Sequence, residues 1–145
     1  MIYVKECKVL LEKFLEDSRL YYEVEGNPEK GLINYTLFTE IRENSFNFNI
    51  IVKDLFIVFD FLDFDLIYKA QIETIDKILL PEEIIEFFKG NIKFKVYKKN
   101  NKFLKLEVYR LKDHWEKILK KSKLFIKKPN LVFEFSIENF KKIRG

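Results

Sequence analysis

The chain has 145 residues, with 27 Lys and Arg against 23 Asp and Glu, and 48% of it is hydrophobic. This length suffices for one buried core without a metal or disulfides, and the single cysteine, Cys7, excludes an internal disulfide and a CxxC site. A membrane-spanning helix needs about 20 apolar residues in a row, and charged residues interrupt every such stretch. Lys5 and Glu6 also argue against a secretory signal. We therefore predict a single cytoplasmic domain over residues 1–145.

The charges are distributed unevenly along the chain. Residues 1–72 carry a net charge of −5, and residues 73–145 carry +9. Within residues 89–128 there are 15 Lys and Arg and three acidic residues. AT-rich codons raise the frequency of Lys, Asn, Ile and Phe, so the pI of about 9.0 is by itself weak evidence for nucleic-acid binding. The position of the basic block is more informative than the overall charge.

The first half of the chain predicts a helix followed by a meander of strands. Cys7, Leu10, Leu11 and Phe14 have the spacing of one helical face, which predicts an amphipathic helix over 3–16. Alternation then predicts a strand over 19–25 and three strands over 32–61. For the inward-facing residues of the last two strands to share a face, the loop between these strands must have two residues, Lys53-Asp54, or four. One continuous bent strand is a further alternative. The stretch 55–62 is apolar on both sides, which is typical of a central strand covered on both faces.

The second half predicts a mixture of strands and helices. The stretch 66–75 fits either a strand or a helix, and its alternation favours the strand. We expect a helix over 80–89 and a hairpin over 92–108 with a Lys99-Asn100-Asn101 loop. In that hairpin 92 pairs with 108, 94 with 106 and 96 with 104. A helix over 113–122 follows, capped by Asp113. Strands over 124–126 and 131–135 form a last hairpin, and Ser136 caps a final helical turn up to 143.

The basic hairpin and the helix after it are the leading candidate site. In the expected register Lys95 lies opposite Lys105 and Tyr97 opposite Phe103, so an anion between the two lysines would relieve their repulsion. The two rings could stack on bases, as open sheets do with single-stranded nucleic acid. Alternatively, the rings pack under the 113–122 helix and the lysines are only solvated. The candidate nucleic-acid-binding residues are Lys93, Lys95, Tyr97, Lys99, Phe103, Lys105, Arg110, Lys120 and Lys121.

Three acidic residues offer a weaker hypothesis of a metal-dependent nuclease. Asp60, Asp63 and Asp65 converge only if the chain turns near Leu62, and a solvated turn is the simpler interpretation. His114 is the single histidine, which excludes two-histidine ribonuclease chemistry and multi-histidine metal sites. The four glycines form no phosphate-binding loop. We predict no catalytic residues, no metal and no cofactor.

Together these elements predict an α+β domain with a mostly antiparallel sheet, an N-terminal helix, and helices between the later strands. The preferred function is a non-catalytic protein-binding module, such as an adaptor, inhibitor or immunity-type protein, that docks a partner of opposite charge. A nucleic-acid-binding subunit that uses residues 89–128 is the alternative, with the nuclease third. No membrane partner is expected, and the oligomeric state cannot be read from the sequence.

Overall fold

A computed structural model describes residues 2–75, 77–122 and 128–143. Two α-helices, three short 3₁₀ turns and eleven strands make up the described chain. In chain order the helices and strands are α1 (Ile2–Asp17), β1 (Tyr22–Asn27), β2 (Leu32–Phe38), β3 (Asn47–Lys53), β4 (Phe56–Phe61), β5 (Phe64–Lys69), β6 (Gln71–Thr74), β7 (Lys77–Leu79), α2 (Glu82–Phe88), β8 (Ile92–Lys99), β9 (Lys102–Leu111), β10 (Trp115–Ser122) and β11 (Leu131–Phe135). The predicted α+β class is confirmed.

The strands form three antiparallel sheets. The first sheet has the order β1-β2-β3-β4-β5, the second has the order β10-β9-β8-β11, and β6 and β7 form a small hairpin. Each strand of the first sheet pairs with its neighbours in sequence, as expected of a meander. Such pairing needs only short connections, and the strand alternation of buried and exposed residues then places one face of each large sheet toward the core.

The core lies between the inner faces of the two large sheets and is rich in phenylalanine. Phe48 of β3 and Phe94 of β8 are fully buried, with ring centroids 5.9 Å apart. Phe87 of α2 stacks on Phe48 at 5.6 Å, so α2 joins the same cluster. The N-terminal helix α1 buries Cys7 and Leu11 and contacts β2, β3 and β7. Both sheets and both helices therefore share one hydrophobic core.

The glycine at the end of β1 illustrates how the sequence closes the first hairpin. Gly26 has φ +106° and pairs with Ile33, and a Cβ atom there would lie 2.4 Å from the backbone oxygen of Leu32. Only glycine fits this close approach without a shift of the backbone. Asn27 then accepts a hydrogen bond from the backbone N–H of Glu29, which starts the 3₁₀ turn that connects β1 to β2.

The predicted helix over 113–122 is wrong, because this segment is strand β10. It pairs with β9, and a β-bulge between Lys117 and Leu119 leaves Ile118 without a direct partner. The bulge interrupts the alternation of period two, so Trp115, Ile118 and Leu119 acquire the three- and four-residue spacing of a helix. A pattern based on spacing alone therefore mistakes a bulged edge strand for an amphipathic helix.

The hairpin between β8 and β9 forms, but its expected register is wrong by two residues. Lys95 lies opposite Glu107, and Tyr97 lies opposite Lys105. The turn is Asn100-Asn101, and an extra residue in β9 shifts the pairing beyond Tyr97. Parity cannot distinguish registers that differ by two residues, because both keep the same side chains inside. Lys95 therefore lies opposite an acidic residue and not opposite Lys105 as expected.

Other expectations differ in detail. Lys53 pairs with Phe56, so the turn between β3 and β4 is Asp54-Leu55. The inward-facing residues that pair across this turn are Val52 and Ile57, which four residues separate. The predicted alternative of four residues is therefore correct. The segment 66–75 is strand, but it divides between β5 and β6. The 80–89 helix is confirmed as α2, and Ser136 caps a 3₁₀ turn at Ile137–Asn139 that is shorter than expected.

Two further expectations concern β4 and the last hairpin. Strand β4 is flanked on both sides, yet its face away from the core is open, with Phe56 43% exposed. The expected strand over 124–126 lies outside the described residues, and β11 pairs with β8. In the described part of the chain, no helix is both long and apolar enough to cross a membrane.

Candidate functional site

The outer face of the second sheet brings five of the fifteen basic residues of the 89–128 block onto one surface. Residues directly opposite each other in an antiparallel pair share a face. From the pairing of β8, β9 and β10 we define the basic face as Lys93, Lys95, Tyr97, Lys105, Glu107, Tyr109, Trp115, Lys117 and Lys120. The inner face of the same strands carries Phe94, Val96 and Val108, all fully buried. In β8 the apolar residues thus face the core, and the lysines that alternate with them face outward.

A buried carboxylate lies at the centre of the basic face. Glu107 is only 2% exposed. Its Oε1 accepts hydrogen bonds from the hydroxyls of Tyr97 at 2.5 Å and Tyr109 at 3.1 Å. Its Oε2 lies 2.5 Å from Nζ of Lys117 and 3.4 Å from Nζ of Lys105. Four donors from three strands therefore converge on one side chain, which compensates for its loss of water.

The pKa values of this cluster follow from the same contacts. Burial raises the pKa of Glu107, but hydrogen bonds from Lys117, Tyr97 and Tyr109 and the charge of Lys105 outweigh it and lower the pKa from 4.5 to about 2. Burial and the hydrogen bond to Glu107 raise the pKa of Tyr97 to about 12. Glu107 is thus ionised and Tyr97 protonated at neutral pH, so the hydroxyl can only donate to the carboxylate.

Lysine ammonium groups lie over the aromatic rings of the basic face. Nζ of Lys105 is 4.6 Å and Nζ of Lys95 is 5.4 Å from the ring centre of Tyr97. Nζ of Lys93 is 4.5 Å from the ring of Trp115 and 5.6 Å from that of Tyr109. These distances are within the range of cation–π attraction. The two central tyrosine rings therefore already carry cations, while Trp115, 37% exposed, lies at the end of the face.

The structure brings together five of the nine residues that the sequence nominated: Lys93, Lys95, Tyr97, Lys105 and Lys120. Lys99 lies beside the β8–β9 turn. Phe103 points elsewhere, with its ring 6.5 Å from Phe64 of β5 and Nζ of Lys98 5.5 Å from its centre. The stacking pair of Tyr97 and Phe103 therefore does not form.

The two remaining nominated residues lie on the opposite side of the sheet. Arg110 donates a 2.6 Å hydrogen bond to Glu82 and lies 3.8 Å from Glu86, which ties β9 to α2. Nζ of Lys121 donates to the backbone oxygen of Asp65 at 2.5 Å and so links β10 to β5. Both residues connect elements of the fold and do not contribute to the basic face.

Sequence reasoning missed Glu107, Tyr109, Trp115 and Lys117 as members of the site. The first two follow Lys105 at a period of two on the same strand, so alternation alone could have found them. The other two were missed because their strand was predicted as a helix. The expected register places Glu107 on the outer face opposite Lys93 but gives it no role in the site, whereas in the structure it lies opposite Lys95 and organises the surface.

The three aspartates of the nuclease hypothesis are partly brought together. The chain turns at Leu62 and Asp63, both with positive φ, and Asp60 lies directly opposite Asp65. Burial, and then the neighbouring Asp65 and Asp63 carboxyl groups, raise the pKa of Asp60. Among the described residues, no group of three or more His, Cys, Asp or Glu side chains is arranged to hold a metal ion. His114 is exposed, with Nε2 3.6 Å from Glu116.

Comparisons of the chain with models of protein families, with curated proteins and with solved structures found no match.

Proposed function

We propose that this chain is a non-catalytic protein-binding module that docks an acidic protein segment on the basic face. The observation that carries the proposal is the Glu107 cluster, which holds two tyrosines and two lysines in fixed positions on an outward-facing sheet surface. Ordered aromatic and cationic side chains are typical of the energetic centre of protein interfaces, because little side-chain entropy is lost on binding. Location in the cytoplasm stays a prediction from the sequence.

The charge of the face supports an acidic partner. The basic face holds five lysines and one glutamate, Glu107, and Glu134 of β11 lies beside it, 3.5 Å from Nζ of Lys93. Within the described chain, Lys95 and Lys120 of the basic face form no ion pair. Such charges accelerate the encounter with an acidic surface and disfavour basic ones. Lysine ammonium groups already lie over the rings of Tyr97 and Tyr109, so a stacking nucleobase would compete with them. This favours a protein partner over single-stranded nucleic acid.

Trp115 provides a direct readout, because it is the only tryptophan and lies on the basic face. We expect poly-L-glutamate, titrated at low salt, to change Trp115 fluorescence, and poly-L-lysine to leave it unchanged. The double variant Lys95→Glu/Lys120→Glu should abolish this response. The matched control, Lys13→Glu/Lys142→Glu, makes the same change of charge at exposed positions elsewhere and should preserve it. Equal loss in both double variants would contradict docking on this face.

One observation favours nucleic-acid binding as a second candidate. Lys98, Lys99 and Lys102 surround the Asn100-Asn101 turn, and none of the three forms an ion pair in the described chain. Lysines around an exposed turn suit phosphate contacts that are independent of sequence. Here oligo(dT) should bind more tightly than poly-L-glutamate, and Lys99→Glu/Lys102→Glu should weaken binding and flatten its salt dependence. Oligo(dT) binding unaffected by that variant would eliminate this candidate.

A further inference from the structure

The outer face of the first sheet carries three parallel rows of different character. One row is Lys53, Phe56 and Lys69; the next is Ile51, Val58 and Ile67; the third is Asn49, Asp60 and Asp65. Each row crosses β3, β4 and β5 through directly opposite residues, so the order basic, apolar, acidic is set by the strand register. Neighbouring rows are separated by two residues along a strand, which is about 6.8 Å.

This face is open, and Nζ of Lys69 lies 5.9 Å from the ring centre of Phe56 in the same row. Ile67 is 65% exposed, Phe56 is 43% exposed, and Leu32, next to Lys53 in the basic row, is 45% exposed. In the described residues none of the four charged side chains in the rows forms an ion pair: Lys53, Lys69, Asp60 and Asp65. Asp60 and Asp65 lie directly opposite each other, an unfavourable arrangement that a cation from outside would relieve.

The three rows are complementary to themselves. A two-fold axis along the middle row would place the apolar row of one copy on the apolar row of a second. The same operation exchanges the outer rows, so the basic row of each copy meets the acidic row of the other. Each strand then faces its own counterpart, which places Lys69 of β5 over Asp65 of β5 in the other copy. The mean strand directions remain aligned, as in sheets that pack face to face.

We propose that two copies of this chain form a symmetric dimer through the outer face of the first sheet, with paired apolar rows and reciprocal Lys69–Asp65 contacts. The three strands that carry the rows give a face about 14 Å wide and about 20 Å long. This area is below that of a standard stable interface, so we expect a weak, concentration-dependent dimer. The basic face belongs to the other sheet, so this dimer leaves it free.

Sedimentation equilibrium over a concentration series tests the dimer. We expect the mean mass to rise from 17.7 kDa toward twice that value. Ile67→Lys places a charge in the apolar row and should weaken association about tenfold or more. Val9→Lys is the matched control, because Val9 is 66% exposed on α1, away from this face, and it should associate like the wild type. A monomer at all concentrations, or a dimer that tolerates Ile67→Lys, would overturn the proposal.

A charge exchange separates this geometry from association through another surface. Lys69→Asp and Asp65→Lys should each weaken the dimer, because each creates two repulsive contacts related by the two-fold axis. The double variant restores opposite charges across the axis and should recover association. Thermal unfolding of each variant at monomeric concentrations verifies the fold. Failure of the double variant to associate better than the single ones would refute the reciprocal contact.

Discussion

The hydroxyl of Tyr97 donates a 2.5 Å hydrogen bond to Oε1 of Glu107, a carboxylate that is 2% exposed on an otherwise outward-facing sheet surface. The bond joins β8 to β9 diagonally, because Tyr97 lies directly opposite Lys105. A charged acid in this position is shielded from water by the side chains that bind it. Its hydrogen bonds therefore stabilise the folded protein and also hold the side chains of the basic face in position.

We expect Glu107→Gln to lower the free energy of unfolding by about 1–3 kcal/mol, since the neutral amide loses charge-assisted hydrogen bonds at a buried site. Tyr97→Phe removes one donor and should cost less, about 1 kcal/mol. Urea unfolding at neutral pH measures both values. Glu116→Gln is the control, because Glu116 is a β10 glutamate outside this cluster, and its change should be small. Equal stability of Glu107→Gln and the wild type would contradict a stabilising cluster.

The stabilisation from Glu107 should depend on pH in a defined direction. The pKa of Glu107 falls from 4.5 to about 2 on folding, so the ionised form is favoured in the folded protein. Its contribution is complete above the unfolded pKa and is lost as the pH falls toward about 2. We expect the stability difference between the wild type and Glu107→Gln to be greatest above pH 4.5 and to shrink steadily below it. A difference that stays constant down to the folded pKa would exclude this linkage.

The fold was largely predictable from the sequence because the apolar residues of most helices and strands recur at the period of that element. Helix α1, helix α2 and the strands of the first sheet follow periodicities that tertiary contacts reinforce. The candidate site was less predictable, since it depends on register and on one bulge. A register shift of two residues preserves every buried residue, so the hydrophobic pattern could not show that Lys95 faces Glu107. The bulge at Ile118 likewise gave β10 the spacing of a helix.

Asp60→Asn should stabilise the monomer while weakening the dimer. Burial and the opposing Asp65 raise the pKa of Asp60, so its ionised form is disfavoured in the folded chain. Removing that charge should raise the free energy of unfolding at neutral pH by up to about 1 kcal/mol. The gain should disappear as the pH falls below the unfolded pKa, where the wild-type carboxyl is protonated too. Unfolding is measured at concentrations where the wild type is monomeric.

Sedimentation equilibrium of the same Asp60→Asn variant measures the second effect. In the dimer Asp60 lies over Phe56 of the other copy, between Lys53 and Lys69 of that basic row, and the neutral side chain attracts these lysines less strongly. Opposite effects on monomer stability and on association distinguish an interface residue from a structural one. If Asp60→Asn leaves the free energy of unfolding unchanged at neutral pH, the repulsion between Asp60 and Asp65 is already compensated within the monomer. Association equal to that of the wild type would argue against a role for the acidic row.

Phe48 should be among the most sensitive positions in the core. Its ring is fully buried, and the ring centroid lies 4.8 Å from that of Phe61, 5.0 Å from that of Phe59 and 5.6 Å from that of Phe87. Phe48→Ala would leave a cavity where the two sheets and α2 meet and should cost about 3–5 kcal/mol. Phe48→Leu keeps much of the volume and should cost less, which provides a measurable value if the alanine variant does not fold. Phe56→Ala, at the open face, is the control and should change monomer stability little. Comparable losses at positions 48 and 56 would contradict a core centred on Phe48.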